Sequence, residues 1–279
     1  MSLAVVLLRD RPPYRRNAFV AGLRRNGYTV ATGWPTPKKR RPYEPQPDHV
    51  LVVWNRYGAN DQYAKIFERA GAAVLVAENG YLDFAGTDKT FAISLYQHNG
   101  AGLWPNDAPE RFEKFDLDLT PWRTRGGDVL VLPQRGIGPP GVAMPNSWTA
   151  EVQRRLVARE GVRRPRVRPH PGTQRNVKPL LDDLEGVGAA VIWGSGAGHK
   201  ALVAGVPVFY EFEKWIGGPA ACAGIKHVRE RMLDPERYMG DRVAMLTRLA
   251  QAQWTVEEVE SGEPIERLVA LHERRKERR

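Results

Sequence analysis

Three stretches of the sequence carry residue types suited to holding phosphate. In Arg166-Val167-Arg168-Pro169-His170-Pro171-Gly172 a guanidinium and an imidazole stand where a short strand-like run ends, the end at which open α/β sheets bind ligands. Arg168 can grip phosphate oxygens and His170 can donate to a departing diphosphate, although a Pro-bracketed turn is a structural reading of the same residues. In the run from Val191 to Val208, an apolar segment meets the small-residue turn Gly194-Ser195-Gly196-Ala197-Gly198 and then a helical pattern through His199, Lys200 and Leu202. Small residues let backbone N–H groups approach a phosphate closely, and Ser195 adds a hydroxyl; tight strand-to-helix packing explains the same glycines. The turn lacks the Gly-Lys-Ser/Thr ending of a Walker loop and the Gly-x-Ser-x-Gly elbow of a serine hydrolase, which argues against both chemistries. The third stretch, Leu130 to Gly138, ends a strand-like run with the polar, basic and flexible Gln134, Arg135 and Gly136.

Proton transfer has one leading candidate. Glu78 closes the apolar run Ala72-Ala73-Val74-Leu75-Val76-Ala77, and a partly desolvated carboxylate there can accept a hydroxyl proton or simply bond nearby amides. Asp83, Asp88 and His98 are lesser candidates. Trp54-Asn55-Arg56-Tyr57-Gly58 sets two aromatics around a cation, suited to stacking a base or a sugar and equally to rim packing. Pro35 to Pro47 holds five prolines and the run Lys38-Lys39-Arg40-Arg41, an exposed loop that is either an anionic-acceptor clamp or a solvated connection. The histidines are scattered and no Asp-x-Asp pair follows residue 126, so no metal site is expected.

The elements that must position these groups alternate. Strand-like runs are read at Leu3 to Leu8, His49 to Trp54, Ala73 to Ala77, Phe91 to Tyr96, Asp128 to Leu132, Arg166 to Arg168, Ala189 to Trp193 and Val206 to Tyr210. Helical patterns lie between them: Tyr14 to Asn26, Asn60 to Ala70, and Trp148 to Glu160 with Ser147 as N-cap, each stopped by Gly. This alternation predicts parallel sheets. Periodicity lapses between Asp107 and Gly127, placing a boundary near residue 125 and giving domains 1–125 and 126–240, with helices over 241–279 packing back. No apolar run reaches the roughly 18 residues of a membrane span, and Leu3 to Leu8 reads as a strand without a charged leader. Cys222 is the single cysteine, which excludes an intramolecular disulfide and points to a reducing, cytoplasmic setting. The net charge is +10, and 32 Arg stand against 10 Lys. That surplus favours a polyanionic partner or reflects genomic base composition.

Taken together, Glu78-Asn79-Gly80-Tyr81-Leu82, Arg168-Pro169-His170-Pro171, and Gly194-Ser195-Gly196 leading to Ala201-Leu202 and Gly205-Val206-Pro207-Val208 resemble the capsule-polysaccharide glycosyltransferases related to bacterial Kdo transferases. The resemblance implies an α/β, GT-B-like fold of two Rossmann-like domains with parallel sheets facing an interdomain cleft. It also implies that Arg168, His170, Ser195 and Gly196 bind the nucleotide part of a donor. The chain departs from the family in its Gly194-Ser195 pair, where two serines are commoner, in its shortness and in its basicity.

The expectation that combines these readings is metal-independent transfer of a sugar from a nucleotide sugar, a UDP-sugar by expectation, to a hydroxymethylpyrimidine in double-stranded DNA, as in virus-encoded DNA glycosyltransferases. Gln134, Arg135, Gly136, Arg168, His170, Ser195, Gly196, His199 and Lys200 would bind the donor. Trp54, Arg56, Tyr57 and Lys38 to Arg41 would bind the acceptor, Glu78 would be the base with His98 as a second candidate, and no cofactor or integral membrane association is expected. The alternatives are a capsule or lipopolysaccharide glycosyltransferase, its basic surface against anionic lipid or polymer, and a basic DNA-binding protein on a decayed transferase fold.

Overall fold

The structure is a computed structural model that describes residues 2–34, 43–173 and 178–278. The chain forms two compact units: Met1–His98, Gly102–Phe115 and Ala250–Arg279 make the first, and Asn99–Ala101 with Asp116–Leu249 the second.

Unit 1 begins with β1 (Leu3–Val6), α1 (Pro13–Arg25), β2 (Thr29–Ala31), β3 (Val50–Trp54), α2 (Ala59–Arg69), β4 (Ala73–Asn79) and β5 (Thr90–Leu95). Val50 to Val53 and Ala73 to Ala77 are buried at every position, the signature of strands covered on both faces. Alternate residues divide between two cores. Ala4, Val52 and Leu75 pack with Phe19 and Leu23 of α1, while Val5, Val53 and Val74 pack with Ala64 and Phe67 of α2.

Unit 2 continues with β6 (Asp128–Leu132), α3 (Trp148–Ala158), β7 (Arg166–Val167), α4 (Leu180–Leu184), β8 (Val187–Ile192), α5 (Ala197–Val203), β9 (Val208–Tyr210), β10 (Cys222–Ala223), α6 (Val228–Arg231), α7 (Pro235–Tyr238) and α8 (Arg242–Ala252). Its sheet has the order β10-β9-β8-β6-β7, and every pairing is parallel. Ser147 precedes α3 as expected but makes no side-chain cap. The Asp241 carboxylate instead caps its helix, accepting the Val243 and Ala244 N–H groups.

The chain then returns to unit 1 as β11 (Gln253–Thr255), α9 (Val256–Ser261) and α10 (Glu263–Glu277). The completed sheet is ordered β11-β5-β4-β3-β1-β2. It corrects the expectation of wholly parallel sheets, because β5 runs antiparallel to β4, and β11 to β5. Residues 80–89 are too few for the dozen-residue crossover that a parallel pairing needs, so the chain turns straight back. The division of units also differs from the expected 125. Residues 116–125 belong to unit 2, where the Thr120 and Arg123 N–H groups donate to Val203 and Gly205 carbonyls and the Arg123 guanidinium donates to the carbonyls of Leu184 and Val187. Residues 241–249 stay there too, and the return begins at Ala250.

Close packing and buried charge hold the return in place. A Cβ on Gly22 of α1 would lie 2.1 Å from the Val259 carbonyl oxygen, so α1 and α9 approach to backbone contact. Thr255 and Glu258 form a reciprocal capping box at the start of α9. Arg111, buried with its guanidinium 3.9 Å from the Trp254 ring centre, donates to the carbonyls of Ala250 and Gln253 and to both Glu258 oxygens. Burial by itself would raise the Glu258 pKa, but the hydrogen bonds from Arg111 and Lys114 hold it below the ordinary glutamate value. The contribution is therefore complete above the unfolded-state pKa of about 4.3 and is lost as pH falls through the lower folded-state value. Urea unfolding should show Glu258→Gln less stable than the parent by about 3 kcal/mol at pH 7, with the gap closing as pH is lowered through 4.

Candidate functional site

In unit 2, β6 lies between β7 and β8, so the chain crosses over in opposite directions from it and a crevice opens at the carboxyl ends of β6 and β8. A pocket of about 380 Å³ occupies that place. Leu132, Pro133, Pro179 and Leu180 give it apolar walls, and Arg168, His170, Lys178, Ser195 and Lys200 give it polar groups.

Local hydrogen bonds fix most of these groups. The Arg168 guanidinium donates to Asp183 Oδ2 at 2.6 Å and to the Lys178 carbonyl, so its plane is set before any ligand arrives. His170 Nδ1 accepts the Gly172 N–H at 2.9 Å, which leaves the proton of the neutral ring on Nε2. Burial, then the charges of Arg135 and Arg168, lower the His170 pKa from 6.5, and the ring is neutral at pH 7. A Cβ on Gly172 would lie 3.2 Å from both Arg135 Cδ and His170 Nδ1, so the exposed Arg135 stands beside the imidazole. Ser195 is buried and its Oγ accepts the Ala197 N–H at 3.2 Å, shaping the turn into α5. Gln134 Nε2 donates to the Gly194 carbonyl at 2.6 Å, a strut between the ends of β6 and β8. Gly136 adopts φ +65°, in the left-handed region, two residues after Gln134.

Thus Arg168, His170, Ser195, Gly196 and Lys200 line one pocket, with Arg135 adjacent and Gln134 bracing it. His199 is a correction. Helical spacing turns it away from Gly196 and Lys200 into the core, where it is 1% exposed and stacked on Trp215 at 4.9 Å and 12°; burial pushes its pKa down to about 3. The sequence reading missed Lys178 and Leu180. The signal was a Lys-Pro pair before an apolar helix start, in a stretch without strand-like alternation.

At the carboxyl edge of the unit 1 sheet, Glu78 is half-buried and accepts the Tyr81 hydroxyl at 3.1 Å. Gln253, fully buried, braces the adjoining turn: its Oε1 accepts the Tyr81 N–H at 2.7 Å and its Nε2 donates to the Leu82 carbonyl at 2.6 Å. A Cβ on Gly80 would meet Thr90 Oγ1 at 1.9 Å, so this turn tolerates no larger residue. Trp54 is half-buried with the Arg15 guanidinium 4.4 Å from its ring centre, and Arg15 Nη2 donates to Asn79 Oδ1 at 2.8 Å. Arg15 was not foreseen from the sequence.

Two further expectations are corrected. Arg56 is 5% exposed and its guanidinium faces inward, bonded to Asp61, to both Glu68 oxygens and to the Tyr96 carbonyl. His98 is 4% exposed and its Nδ1 accepts the Arg56 N–H at 3.2 Å, a place inside the core of the unit. Tyr57 stands 62% exposed; Asp83 and Asp88 are exposed as well. Lys38, Lys39, Arg40 and Arg41 lie outside the described residues. Among the described residues no three His, Cys, Asp or Glu side chains are grouped to hold a metal ion, and no helix is long and apolar enough to cross a membrane.

Comparison of the chain with solved structures bears on the fold. It aligns with Thermosulfurimonas dismutans KpsC, beta Kdo 2,4 transferase, at TM-score 0.50 and 13% identity over 91% of this chain and 92% of that one. It aligns with Thermosulfurimonas dismutans KpsC, beta Kdo 2,7 transferase, at TM-score 0.50 and 14% identity over 97% and 99%. The fold is glycosyltransferase-like. It is α/β and GT-B-like, built of two Rossmann-like units, one with a parallel sheet and one with a mixed sheet. A scan against protein-family models and a search of curated proteins gave no match.

The different surroundings of the two histidines make a direct test of the donor-binding role expected from the sequence. His199→Phe keeps the stack on Trp215 and should leave nucleotide binding within about twofold of the parent. His170→Ala should weaken it by about tenfold, the size of one charge-assisted hydrogen bond, as measured by isothermal titration with free nucleotides.

Proposed function

We propose that the protein is a glycosyltransferase that takes a sugar from a nucleotide sugar bound in the unit 2 pocket and passes it to a glycan acceptor held by unit 1. The observation that carries this reading is the convergence of Arg168, His170, Lys178, Ser195 and Lys200 at the switch point of a parallel sheet, in a chain with a glycosyltransferase-like fold. Arg168, Lys178 and Lys200 supply positive charge for donor phosphate, and the prebonded Arg168 loses little side-chain entropy on binding. His170 presents Nε2–H, a donor for the oxygen that gains charge as the bond to the sugar breaks. The apolar walls suit the nucleoside. Phosphate neutralisation by side chains supports chemistry without a metal, and Glu78 is the proposed base for the acceptor hydroxyl. The single, buried Cys222 fits the reducing cytoplasm.

The fold favours a capsule-type glycan acceptor over hydroxymethylated DNA. The DNA reading draws on net charge, and that charge includes Arg56 and Arg111, which are buried and paired with carboxylates.

The test is transfer from a panel of UDP-, GDP-, dTDP- and CMP-sugars to acidic glycans and, in parallel, to duplex DNA containing hydroxymethylcytosine, read by mass spectrometry. Transfer to glycan alone is expected; glycosylated DNA would restore the other acceptor, and no nucleotide-sugar binding at all would remove the enzyme reading. Glu78→Gln should lower kcat by about 10²- to 10⁴-fold with donor binding unchanged. Arg168→Gln should weaken donor binding by about 10- to 100-fold. A bound phosphate raises the His170 pKa from its lowered value, so donor affinity should increase as pH falls from 8 to 6, and His170→Gln should abolish that slope.

A further inference from the structure

Unit 1 holds a cation that the donor chemistry does not use. Its sheet has the same winding as that of unit 2: β1 lies between β2 and β3, so the crossovers diverge there and the carboxyl ends of β1 and β3 flank a second switch point. Arg15 stands at this edge. Its guanidinium rests on the Trp54 ring at 4.4 Å and bonds the neutral amide of Asn79 at 2.8 Å. Among the described residues no carboxylate lies within 4.0 Å of it, and its Nε is buried without a hydrogen-bond partner. The buried structural arginines in this chain are treated differently: Arg56 is paired with Asp61 and Glu68, and Arg111 with Glu258. A half-buried cation without a counter-ion is disfavoured unless something anionic completes it. Trp54 and Asn79 hold this one in a defined orientation and leave its charge uncompensated.

We propose that Arg15, positioned by Trp54 and Asn79, forms an anion subsite in unit 1 that reads a carboxylate or phosphate on the acceptor. The assignment of the acceptor to unit 1 rests on the reading above; the anion site itself does not. Trp54 is then a support for Arg15, and the specificity of the subsite lies in charge. A bidentate approach to the guanidinium suits a planar carboxylate and a phosphate alike.

The experiment uses the full chain and ligand-observed NMR with glucuronic acid, glucose 6-phosphate and glucose, which share a ring and differ in the charged group. Both anions should bind at least tenfold more tightly than glucose, and the ratio between them tells carboxylate from phosphate recognition. Arg15→Gln should remove the preference and Arg15→Lys restore part of it. Asn79→Asp gives Arg15 an internal partner, so it should remove the preference while keeping or raising the thermal midpoint, which separates binding from folding. Arg168→Gln should leave glucuronic acid binding unchanged. Equal binding of glucose, no binding of the acids, or loss in Arg168→Gln in place of Arg15→Gln overturns the proposal. Charge preference that follows Arg15 in a protein that binds no nucleotide sugar would sustain the subsite and defeat the donor reading.

Discussion

Parallel pairing of β6 with both β7 and β8 is the constraint from which the pocket follows. A strand that is central in a parallel sheet must be entered and left by crossovers at opposite ends, and when the winding reverses at that strand the connections diverge. The backbone then ends three strands at one edge with nothing covering the middle. Residues at or shortly after the ends of β6, β7 and β8, distant in sequence, line the same opening: Leu132 and Pro133, Arg168 to Pro171, and residues from Ser195 to Lys200. The Gln134 amide on the Gly194 carbonyl keeps two of those strand ends in register with each other.

Unit 1 obeys the same winding and adds an edge that the parallel scheme does not supply. Its last two strands run antiparallel, and the outermost, β11, comes from the far end of the chain. This return has consequences for chemistry as well as stability. Gln253, delivered by β11, substitutes for backbone partners in the turn after Glu78, so the candidate base is held by a residue far from it in sequence. Arg111 performs the corresponding service for the return itself, joining the carbonyls before and within β11 to the capping carboxylate of α9.

The basic composition divides into two populations once burial is known. Arg56 and Arg111 are buried and spent on carboxylates and carbonyls, where removing one partner is costly because the other is left charged in a poor solvent. Arg168 is bonded to Asp183 on one side and lines the pocket with the other. Net charge, which first suggested a nucleic-acid partner, counts all of these equally.

The sequence by itself marked the central strands, since short apolar stretches such as Val50 to Val53 and Ala189 to Ile192, bounded by turn residues, suit strands buried on both faces, whereas the short edge strands β2, β10 and β11 carry no such run. It also determined the turns in which glycine is obligatory, and the Arg-Pro-His-Pro and Gly-Ser-Gly segments that the fold brings together. Helix phase and strand partners were decided only by tertiary structure. His199 follows the small-residue turn in sequence, yet the helical rotation takes it to Trp215 while Lys200, one residue on, faces the pocket. Arg56 reads as an exposed cation until Asp61 and Glu68 of the following helix fold over it. Arg15 and Gln253 were illegible because each acts through partners that only chain topology supplies: Trp54 and Asn79 for one, Tyr81 and Leu82 for the other. Local pattern records what a residue can bury or bond, and long-range pairing selects which of its possible partners is there.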